Sequence, residues 1–265
     1  MRITSTHNAL VKYVRSLQRA RARQEQGAFV VEGVRLVREA HLARQNPVLV
    51  MYDPETLRTD SGRAFVRELE QWTTDLHEVT AHVLNAAAQT ETPSGVLAVI
   101  RRPSPPPLET HDSDGFAVVL DGMGDPGNVG TILRTADAAG VDFVALTPQS
   151  ADPFNPKAVR AGMGAHFRLD IYAGVPLVEL LQTLPGMQWV TIDAGSETDM
   201  YHFVWPVRCG LVIGGEAHGL SREARDNFDF SVRIPMRHGV ESLNAAVAAS
   251  IAIYAALGSR LSADL

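Results

Sequence analysis

A stretch near the C-terminal end, residues 234–255, passes from strand to loop to helix. Its sequence is IPMRHGVESLNAAVAASIAIYA, and its first three residues end an apolar, strand-like run. From Leu243 onward the stretch is rich in alanine, the residue with the highest helix propensity. A helix that is apolar around its whole circumference is a buried one. The stretch therefore predicts a strand, then a polar loop with Glu241, Ser242 and Asn244, then a buried helix for which Ser242 is a suitable N-cap.

Two further loops have the same form. The apolar run FAVVLD leads into DPGNVGTILRTADAAG at residues 125–140, and LVIGGEAHGL occupies residues 211–220. Each of the three loops follows an apolar strand and includes an ionisable side chain of interest: Arg134, Glu216 and Glu241. In an open α/β sheet, ligands bind outside the carboxyl ends of the strands. The three loops are therefore predicted to converge on one site.

The three segments resemble the three motifs of the SpoU/TrmH family of RNA 2′-O-ribose methyltransferases, which belongs to the knotted SPOUT class. The first motif is N-x-G-x-x-x-R-T at residues 128–135, the second is G-x-E-x-x-G-L at residues 214–220, and the third joins I-P-M to S-L-N within residues 234–244. Three motifs in order are a far more specific signal than one glycine-rich turn. The resemblance implies that S-adenosylmethionine is the methyl donor and that the C-terminal segment threads a trefoil knot.

The resemblance also implies roles for individual residues. The catalytic set consists of Asn128, Arg134, Glu216, Ser242 and Asn244. The donor would be held largely by backbone groups of Thr191, Gly214, Ile234 and Leu243. Asn128 is expected to cap the first helix as well. Because a guanidinium stays protonated in proteins, Arg134 is expected to bind a neighbouring phosphate and position the ribose rather than to accept its proton. Two positions depart from the family pattern, with His238 in place of a common glycine and Gly162 in place of a common serine.

Positive charge is concentrated at the N-terminal end of a chain whose formal net charge is −6. Residues 1–44 carry nine arginine or lysine side chains against three acidic ones. Residues 8–23 have helical spacing, which would place three of the arginines on one face. A basic patch on an acidic chain is the electrostatic footprint of phosphate binding, although an ordinary solvated helix face has the same composition. The residues expected to contact RNA are Lys12, Arg15, Arg19 and Arg23.

The order of strand-like and helical segments predicts an α/β protein with two domains. Residues 1–100 form a small α/β sandwich, which resembles the L30e-like substrate-binding domain found ahead of many SpoU-type enzymes. Residues 101–115 contain four prolines and are expected to be a semi-rigid linker. Residues 116–265 repeat the strand-then-helix pattern that is typical of a doubly wound parallel sheet.

Several functional classes are disfavoured by the sequence. The single cysteine, Cys209, starts an apolar strand and has no adjacent histidine, so it is expected to be a small buried hydrophobe rather than the nucleophile of a base methyltransferase. No cluster of His, Cys and Asp has the spacing of metal ligands, which predicts a metal-free site. No apolar run has the length of a membrane span and the N-terminus lacks the apolar core of a signal peptide, which favours a cytoplasmic protein.

The sequence thus predicts an enzyme that transfers a methyl group from S-adenosylmethionine to a ribose 2′-hydroxyl of structured RNA. Ribosomal RNA is the expected substrate, because the N-terminal domain resembles a relative of ribosomal proteins. A transfer RNA substrate and a non-catalytic RNA-binding relative remain the alternatives. A homodimer through the C-terminal domain is expected, because the C-terminal helix is too apolar to have one face in water.

Overall fold

The computed structural model describes residues 2–111, 115–216, 219–237 and 242–263. The contacts within the chain divide it into two compact units. The first unit consists of Met1–Pro103 together with Phe154–Phe167, and the second consists of Ser104–Pro153 together with Arg168–Leu265. The first unit therefore takes a short segment from the later part of the chain. The domain bounds proposed from the sequence, which do not include this segment, stay a prediction.

The first unit is a four-stranded sheet with helices on both faces. Its helices are α1 (Ala9–Ser16), α2 (Ala20–Gln26), α3 (Val34–Leu42), α4 (Asp60–Trp72) and α5 (Ala81–Ala87). Its strands are β1 (Ala28–Glu32), β2 (Pro47–Tyr52), β3 (Leu76–Glu78) and β4 (Val96–Arg101). The strand order is β1-β4-β2-β3, with β4 antiparallel to both of its neighbours and β2 parallel to β3.

Alternate residues of β1 enter two separate cores, because successive side chains of a strand point to opposite faces of the sheet. Phe29 and Val31 pack in a core with residues of α3 and α4. Ala28 and Val30 pack in a second core with residues of α1 and α5. The α/β sandwich predicted from the sequence is therefore confirmed.

The single N-terminal helix predicted for residues 8–23 is wrong, because the chain turns between α1 and α2. Leu17, at this turn, is fully buried. Nη1 of Arg23 donates hydrogen bonds of 2.9 Å to the carbonyl oxygens of Leu17 and Gln18. Arg23 is only 1% exposed. Its side chain thus satisfies the carbonyl groups that the break in the helix leaves open.

The second unit is a six-stranded sheet in which every neighbouring pair is parallel. Its strands are β5 (Phe116–Asp121), β6 (Phe143–Leu146), β7 (Asp170–Ala173), β8 (Gln188–Ile192), β9 (Cys209–Gly214) and β10 (Phe230–Val232). Its helices are α6 (Pro126–Ala138), α8 (Leu177–Thr183), α9 (Arg222–Asp226) and α10 (Ala245–Ala263), while α7 (Pro156–Gly162) belongs to the first unit. The predicted parallel α/β sheet is confirmed, and the knot stays a property that the resemblance implies.

The C-terminal helix α10 is buried on one side only. It packs against α6 and β9, and the small side chains of Ala249 and Ala252 are fully buried there. Val247 and Tyr254 are 49% and 50% exposed. The expectation of a helix buried all round is therefore wrong for the isolated chain, which leaves an apolar face of α10 uncovered.

The proline-rich stretch after β4 is partly attached to the second unit. The hydroxyl of Tyr172 donates a 2.6 Å hydrogen bond to the carbonyl oxygen of Pro106, and Nε2 of His111 lies 2.8 Å from the same hydroxyl. The ring of His111 also packs 4.6 Å from the ring of Phe143. Burial raises the pKa of Tyr172 to about 12, so the hydroxyl keeps its proton at neutral pH and remains a donor.

The segment Phe154–Phe167, which contains α7, contributes aromatic side chains to the core of the first unit. The ring of Phe29 on β1 lies 5.0 Å from that of Phe154 and 6.3 Å from that of Phe167. The guanidinium of Arg102 lies 4.2 Å from the centre of the Phe154 ring, a cation–π distance. A fragment that ended after β4 would therefore lack part of its own core.

Candidate active site

A cleft of about 930 Å³ opens at the carboxyl ends of β5, β6 and β9. Strands β6 and β7 extend the sheet on one side of β5, whereas β9, β8 and β10 extend it on the other, so the strand order reverses between β5 and β9. Open α/β sheets bind ligands in the crevice at such a reversal. The lining includes Asn128, Glu216 and Asn244, one residue from each of the three sequence motifs. The predicted convergence of the motifs is therefore observed for these residues.

The start of α6 directs Asn128 into the cleft. Asp125 is the N-cap of this helix, and its Oδ1 accepts a 2.9 Å hydrogen bond from the N–H of Asn128. Pro126 follows in the first turn, where its missing N–H leaves no helical hydrogen bond unmade. The expectation that Asn128 caps the helix is wrong. Because Asp125 does so, the side-chain amide of Asn128 is available to the other motifs.

Three polar side chains form a hydrogen-bonded chain from one motif to the next. Oδ1 of Asn244 accepts hydrogen bonds of 3.0 and 3.2 Å from the N–H groups of Ala246 and Val247, which fixes which end of this amide faces α10. Its Nδ2 donates over 3.2 Å to Oδ1 of Asn128. Nδ2 of Asn128 then donates to Oε1 of Glu216. Because α10 fixes the orientation of the Asn244 side-chain amide, Asn244 donates to Asn128, and Asn128 in turn donates to Glu216. This series of hydrogen bonds ends on a carboxylate, which can only accept.

The cap of α10 is Asn244 rather than Ser242. The carbonyl oxygen of Asn244 also accepts the first helical hydrogen bond, from Ala248. Ser242 is exposed and precedes the first helical residue by three positions, so the cap expected from the sequence is wrong. Leu243, one of the residues expected at the donor, is 37% exposed beside it. Two further residues of this loop that the sequence analysis singled out lie outside the described residues, namely His238 and Glu241.

Glycine is required at the end of β9 by the protein's own backbone. A Cβ at Gly214 would lie 2.3 Å from the carbonyl carbon of Gly219, and one at Gly215 would lie 2.1 Å from the carbonyl oxygen of Gly122. Real Cβ atoms do not approach backbone this closely, so the absence of side chains here lets three chain segments meet. The two glycines therefore shape the site by allowing the end of β9 to pack closely against the loops after β5 and β9.

The residues expected to hold the methyl donor lie at the ends of three adjacent strands. Thr191 on β8 is fully buried and is paired in parallel register with Val212 on β9 and Ser231 on β10. Gly214 is the last residue of β9, and Ile234 follows β10. These positions form a group beside the cleft, whose lining consists of other residues.

Arg134 lies on α6 but outside the lining of the cleft. Its side chain is exposed. The hydroxyl of the next residue, Thr135, lies 3.0 Å from that of Ser250 on α10, so Arg134 stands beside the pair of packed helices. The structure therefore does not bring Arg134 together with Asn128 and Glu216 within one chain.

The residues expected to contact RNA separate into two groups. Lys12, Arg15 and Arg19 are exposed, as RNA binding requires. Arg23 is 1% exposed, because its guanidinium is bound to carbonyl groups between α1 and α2. The assignment of Arg23 as an RNA contact is therefore wrong.

Sequence reasoning missed Asp121, the last residue of β5. Its carboxylate is 4% exposed, lines the cleft, and accepts a 2.8 Å hydrogen bond from the N–H of Ser221. An acidic residue at the end of a central apolar strand was the signal available. The following loop also carries Gly122, Gly124 and Gly127, the spacing of a dinucleotide-binding fingerprint. The next strand, β6, ends at Leu146 and is followed by Thr147, where such a site needs an acid.

Cys209 is a buried thiol with no sign of activation. It is 1% exposed, and burial raises its pKa to about 12. A cysteine-dependent methyl transfer is therefore not the chemistry of this site.

Among the described residues, no group of three or more His, Cys, Asp or Glu side chains could hold a metal ion. None of the described helices is long and apolar enough to cross a bilayer.

Comparison with known families covers nearly the whole chain. Residues 115–254 match the SpoU rRNA Methylase family, and residues 8–98 match the MRM3-like substrate binding domain. One curated relative is the Bacillus subtilis 23S rRNA (guanosine(2553)-2′-O)-methyltransferase RlmP, which is 30% identical over 95% of this chain and 97% of its own length. The first match spans more than half of the chain and includes all three motifs.

Solved structures agree with this assignment. The SpoU methyltransferase AviRb from Streptomyces viridochromogenes, in complex with the cofactor AdoMet, has a TM-score of 0.83 at 28% identity, over 97% of this chain and 99% of that one. An AdoMet-bound rRNA methyltransferase from Sinorhizobium meliloti has a TM-score of 0.84 at 27% identity, over 97% of both chains. The likeness extends through both units.

The fold and the site thus define a methyltransferase that acts on the ribose of RNA. The chain belongs to the SpoU rRNA methylase family. It is an S-adenosylmethionine-dependent RNA 2′-O-ribose methyltransferase, and the resemblance stated from its three motifs is confirmed. The N-terminal substrate-binding domain expected from the resemblance is confirmed as well.

The residues expected at the donor fit S-adenosylmethionine. The ends of β8, β9 and β10 present backbone amide and carbonyl groups, which suit the edge of an adenine ring. Ile234 and the partly exposed Leu243 offer apolar surface for its faces. Gly214 keeps this end of β9 close to the backbone of Gly219 and Leu220, which a side chain would prevent.

Proposed function

We propose that this chain methylates one ribose 2′-hydroxyl of ribosomal RNA, with the reacting nucleotide in the cleft between β5 and β9. The hydrogen-bonded chain from Asn244 through Asn128 to Glu216 carries the proposal, because it joins all three family motifs at the lining of that cleft. A cleft of about 930 Å³ has the size of a site for a small molecule or a nucleotide. The relative RlmP acts on 23S ribosomal RNA according to its name, which supports the choice of substrate.

The hydrogen-bonded side chains of Asn244, Asn128 and Glu216 act by orienting polar groups around the reacting hydroxyl. A ribose hydroxyl is a poor nucleophile near neutral pH, so its alignment and the removal of its proton determine the rate. When bound, S-adenosylmethionine supplies the methyl electrophile. Asn128 and Glu216 hold each other in fixed orientations. Because Arg134 lies outside the cleft of its own chain, we assign the contact with the phosphate next to the reacting ribose to the Arg134 of a second copy, through its planar fork.

Lys12, Arg15 and Arg19 form the basic surface that we assign to RNA in the first unit. All three are exposed on or beside α1. Exposed guanidinium and ammonium groups release counterions from RNA when they bind phosphates, and this term supplies most of the sequence-independent affinity. Substitution of these residues tests the surface better than deletion of residues 1–100, because the deletion would expose Phe154 and Phe167.

Ribose methylation in total RNA, mapped by mass spectrometry with and without the gene, tests the proposed function. We expect one 2′-O-methyl group to disappear from a ribosomal RNA fragment when the gene is deleted. Restoring the gene should restore the methyl group, and a gene encoding Asn128→Ala serves as the matched inactive control. Loss of a methyl group from transfer RNA alone would select that alternative substrate. An unchanged methylation map would favour a non-catalytic RNA-binding relative.

Methyl transfer and donor binding are expected to need no metal ion. The sulfonium already carries the positive charge that activates its methyl group, so no Lewis acid is required. Calorimetric titration of the protein with S-adenosylmethionine should give the same affinity with and without a chelator. Loss of binding with the chelator, restored by a divalent ion, would contradict this prediction. Donor binding is measured without RNA, because magnesium also folds RNA.

We also propose that the enzyme is a cytoplasmic homodimer. The exposed residues Leu243, Val247 and Tyr254 form an apolar stripe on α10 and in the turn before it. Thr135, next to Arg134, is hydrogen-bonded to Ser250 of the same α10 helix. A second copy that covered the stripe would bring its own Arg134 close to this surface. This arrangement would explain why Arg134 lies outside the cleft of its own chain.

A further inference from the structure

A second cavity, of about 440 Å³, lies within the first unit. It is bounded by the start of α3, by the turn at Ser94, by Arg160 of α7 and by Met163, the residue that follows this helix. The family match to the substrate-binding domain ends at residue 98, so the residues of α7 are not part of it. The cavity is therefore completed by a segment that comes from the methylase part of the sequence.

Arg160 has no hydrogen-bond partner among the described residues for its buried Nη1 atom. A guanidinium is always charged and has five N–H donors. Leaving such a donor buried and unpaired costs more than the net gain from an ordinary hydrogen bond. The other side-chain N–H groups of Arg160 have no partner among the described residues either, and the side chain lines the cavity, so these donors are open to a ligand with acceptor oxygens.

The other charged groups of the cavity do not neutralise Arg160. Arg35 is exposed, and no ion pair to it is found in the described part of the chain. The carboxylate of Glu32 is already committed, because it accepts hydrogen bonds from the N–H groups of Gln89 and Thr90 at 3.0 and 3.3 Å. The cavity therefore has two guanidinium groups in its lining and one acid that is occupied elsewhere.

The backbone at the start of α3 adds further donors. Gly33 is the N-cap with φ of 98°, a conformation that favours glycine, and no side chain caps the helix from this position. The N–H of Val34 donates to Oγ of Ser94 over 3.3 Å, which leaves the hydroxyl proton of Ser94 free to point elsewhere. The helix N-terminus adds a partial positive charge beside the two guanidinium groups.

We propose that this cavity binds a phosphodiester group of the RNA substrate, through Arg160, Arg35 and the hydroxyl of Ser94. A phosphate has the several acceptor oxygens that these donors need, and two of its oxygens can accept a bidentate contact from the planar guanidinium of an arginine. The choice of RNA as the source of the phosphate rests on the proposed function. The site would bind RNA at a position distinct from the cleft and from the basic surface of α1.

Filter binding of deproteinised ribosomal RNA to the full chain, at several salt concentrations, tests the proposal. Arg160→Met and Arg35→Ala are each expected to weaken binding roughly tenfold and to reduce the slope of log K against log salt by about one. Arg67→Ala is the matched control, because Arg67 is an exposed arginine of the same unit outside the cavity. It should retain nearly the affinity and slope of the unsubstituted protein.

Thermal unfolding separates this role from a structural one. Methionine keeps the apolar stem of Arg160 and removes the unpaired donor, so Arg160→Met should unfold at the same or a higher temperature. A fall in the unfolding temperature together with unchanged RNA binding would overturn the proposal and make Arg160 a structural residue. Arg35→Ala, at an exposed position, remains informative if Arg160→Met fails to fold.

The source of the phosphate is decided by a second arm with inorganic phosphate. If phosphate raises the unfolding temperature of the unsubstituted protein while both variants bind RNA normally, the site holds a free anion and the proposal is overturned. If the unsubstituted protein does not bind ribosomal RNA, the proposed function fails and the site fails with it. If it binds RNA but the variants match Arg67→Ala, only the site fails.

Discussion

Replacing Arg134 with alanine is expected to abolish methyl transfer while the affinity for S-adenosylmethionine stays nearly unchanged. The exposed side chain of Arg134 lies on α6, whereas the groups expected to hold the donor lie at the ends of β8, β9 and β10. Loss of a phosphate contact that positions the ribose should lower kcat roughly a hundredfold to a thousandfold. Turnover is measured with tritiated donor and ribosomal RNA from a strain without the gene, and donor affinity is measured by calorimetry.

Two controls make this result specific. Arg134→Lys keeps the charge but not the planar fork, so it should restore only a small part of the activity. Arg222→Ala removes another exposed arginine of the same unit, one with a surface ion pair to Asp226, and should leave turnover unchanged. A large loss of donor affinity in Arg134→Ala would contradict the separation of the two roles. Full activity of Arg134→Lys would show that charge alone is sufficient.

The alternation of apolar strands and helical segments was sufficient to predict the parallel sheet. Residues such as FAVVLD can be buried on both faces only as a central strand, and β5 is paired with both β6 and β9. The position of the cleft followed from the same argument, since the loops after parallel strands meet at one edge. Local sequence patterns therefore predict which strands and helices form, and that the site lies at the carboxyl ends of the strands.

The details that sequence reasoning missed depend on contacts between distant residues. Both Asn128 and Asp125 are acceptable N-caps; Asp125 caps α6, and the side chain of Asn128 instead contacts Glu216, 88 residues away, which no local pattern predicts. Arg23 has the spacing of a surface arginine, yet the break between α1 and α2 buries it. The periodic spacing of apolar residues predicts that a segment is helical, but it cannot predict the turn between α1 and α2 that the buried side chain of Arg23 stabilises.

The placement of Phe154–Phe167 in the first unit is a further case. Its neighbours in sequence, β6 and β7, belong to the second unit, so a division at the proline-rich stretch was the natural prediction. The aromatic contacts of Phe29 with Phe154 and Phe167 become visible only in three dimensions. The assignment of Arg160 to a cavity of the first unit could not have been made without them.

The apolar stripe on α10 leads to the second large effect that we expect, which concerns the oligomeric state. Val247 and Tyr254 are seven residues apart, so they lie on one side of the helix two turns from each other. With Leu243 they present apolar surface opposite the buried alanines of α10. A second copy related by a two-fold axis is the commonest way to cover such a face. Light scattering at micromolar concentration should therefore give the mass of a dimer, and a monomer would refute the proposal.

Mixing two inactive variants tests whether each active site uses both chains. Arg134→Ala keeps the donor site, and Gly214→Ala keeps Arg134 but forces a Cβ to within 2.3 Å of the backbone of Gly219. If Arg134 serves the donor site of the partner subunit, each mixed dimer has one intact site. Random pairing of equal amounts makes about half of the dimers mixed, which should restore about a quarter of the unsubstituted activity.

The outcome depends on both variants remaining dimers, which light scattering and circular dichroism establish before they are mixed. Each variant alone should be inactive, and mixing either one with a chain that carries both substitutions should restore nothing. Dimers that regain no activity on mixing would place each site within a single chain. Activity near a quarter of normal would instead explain why Arg134 is exposed beside the apolar stripe of α10 and outside the cleft that holds Asn128, Glu216 and Asn244.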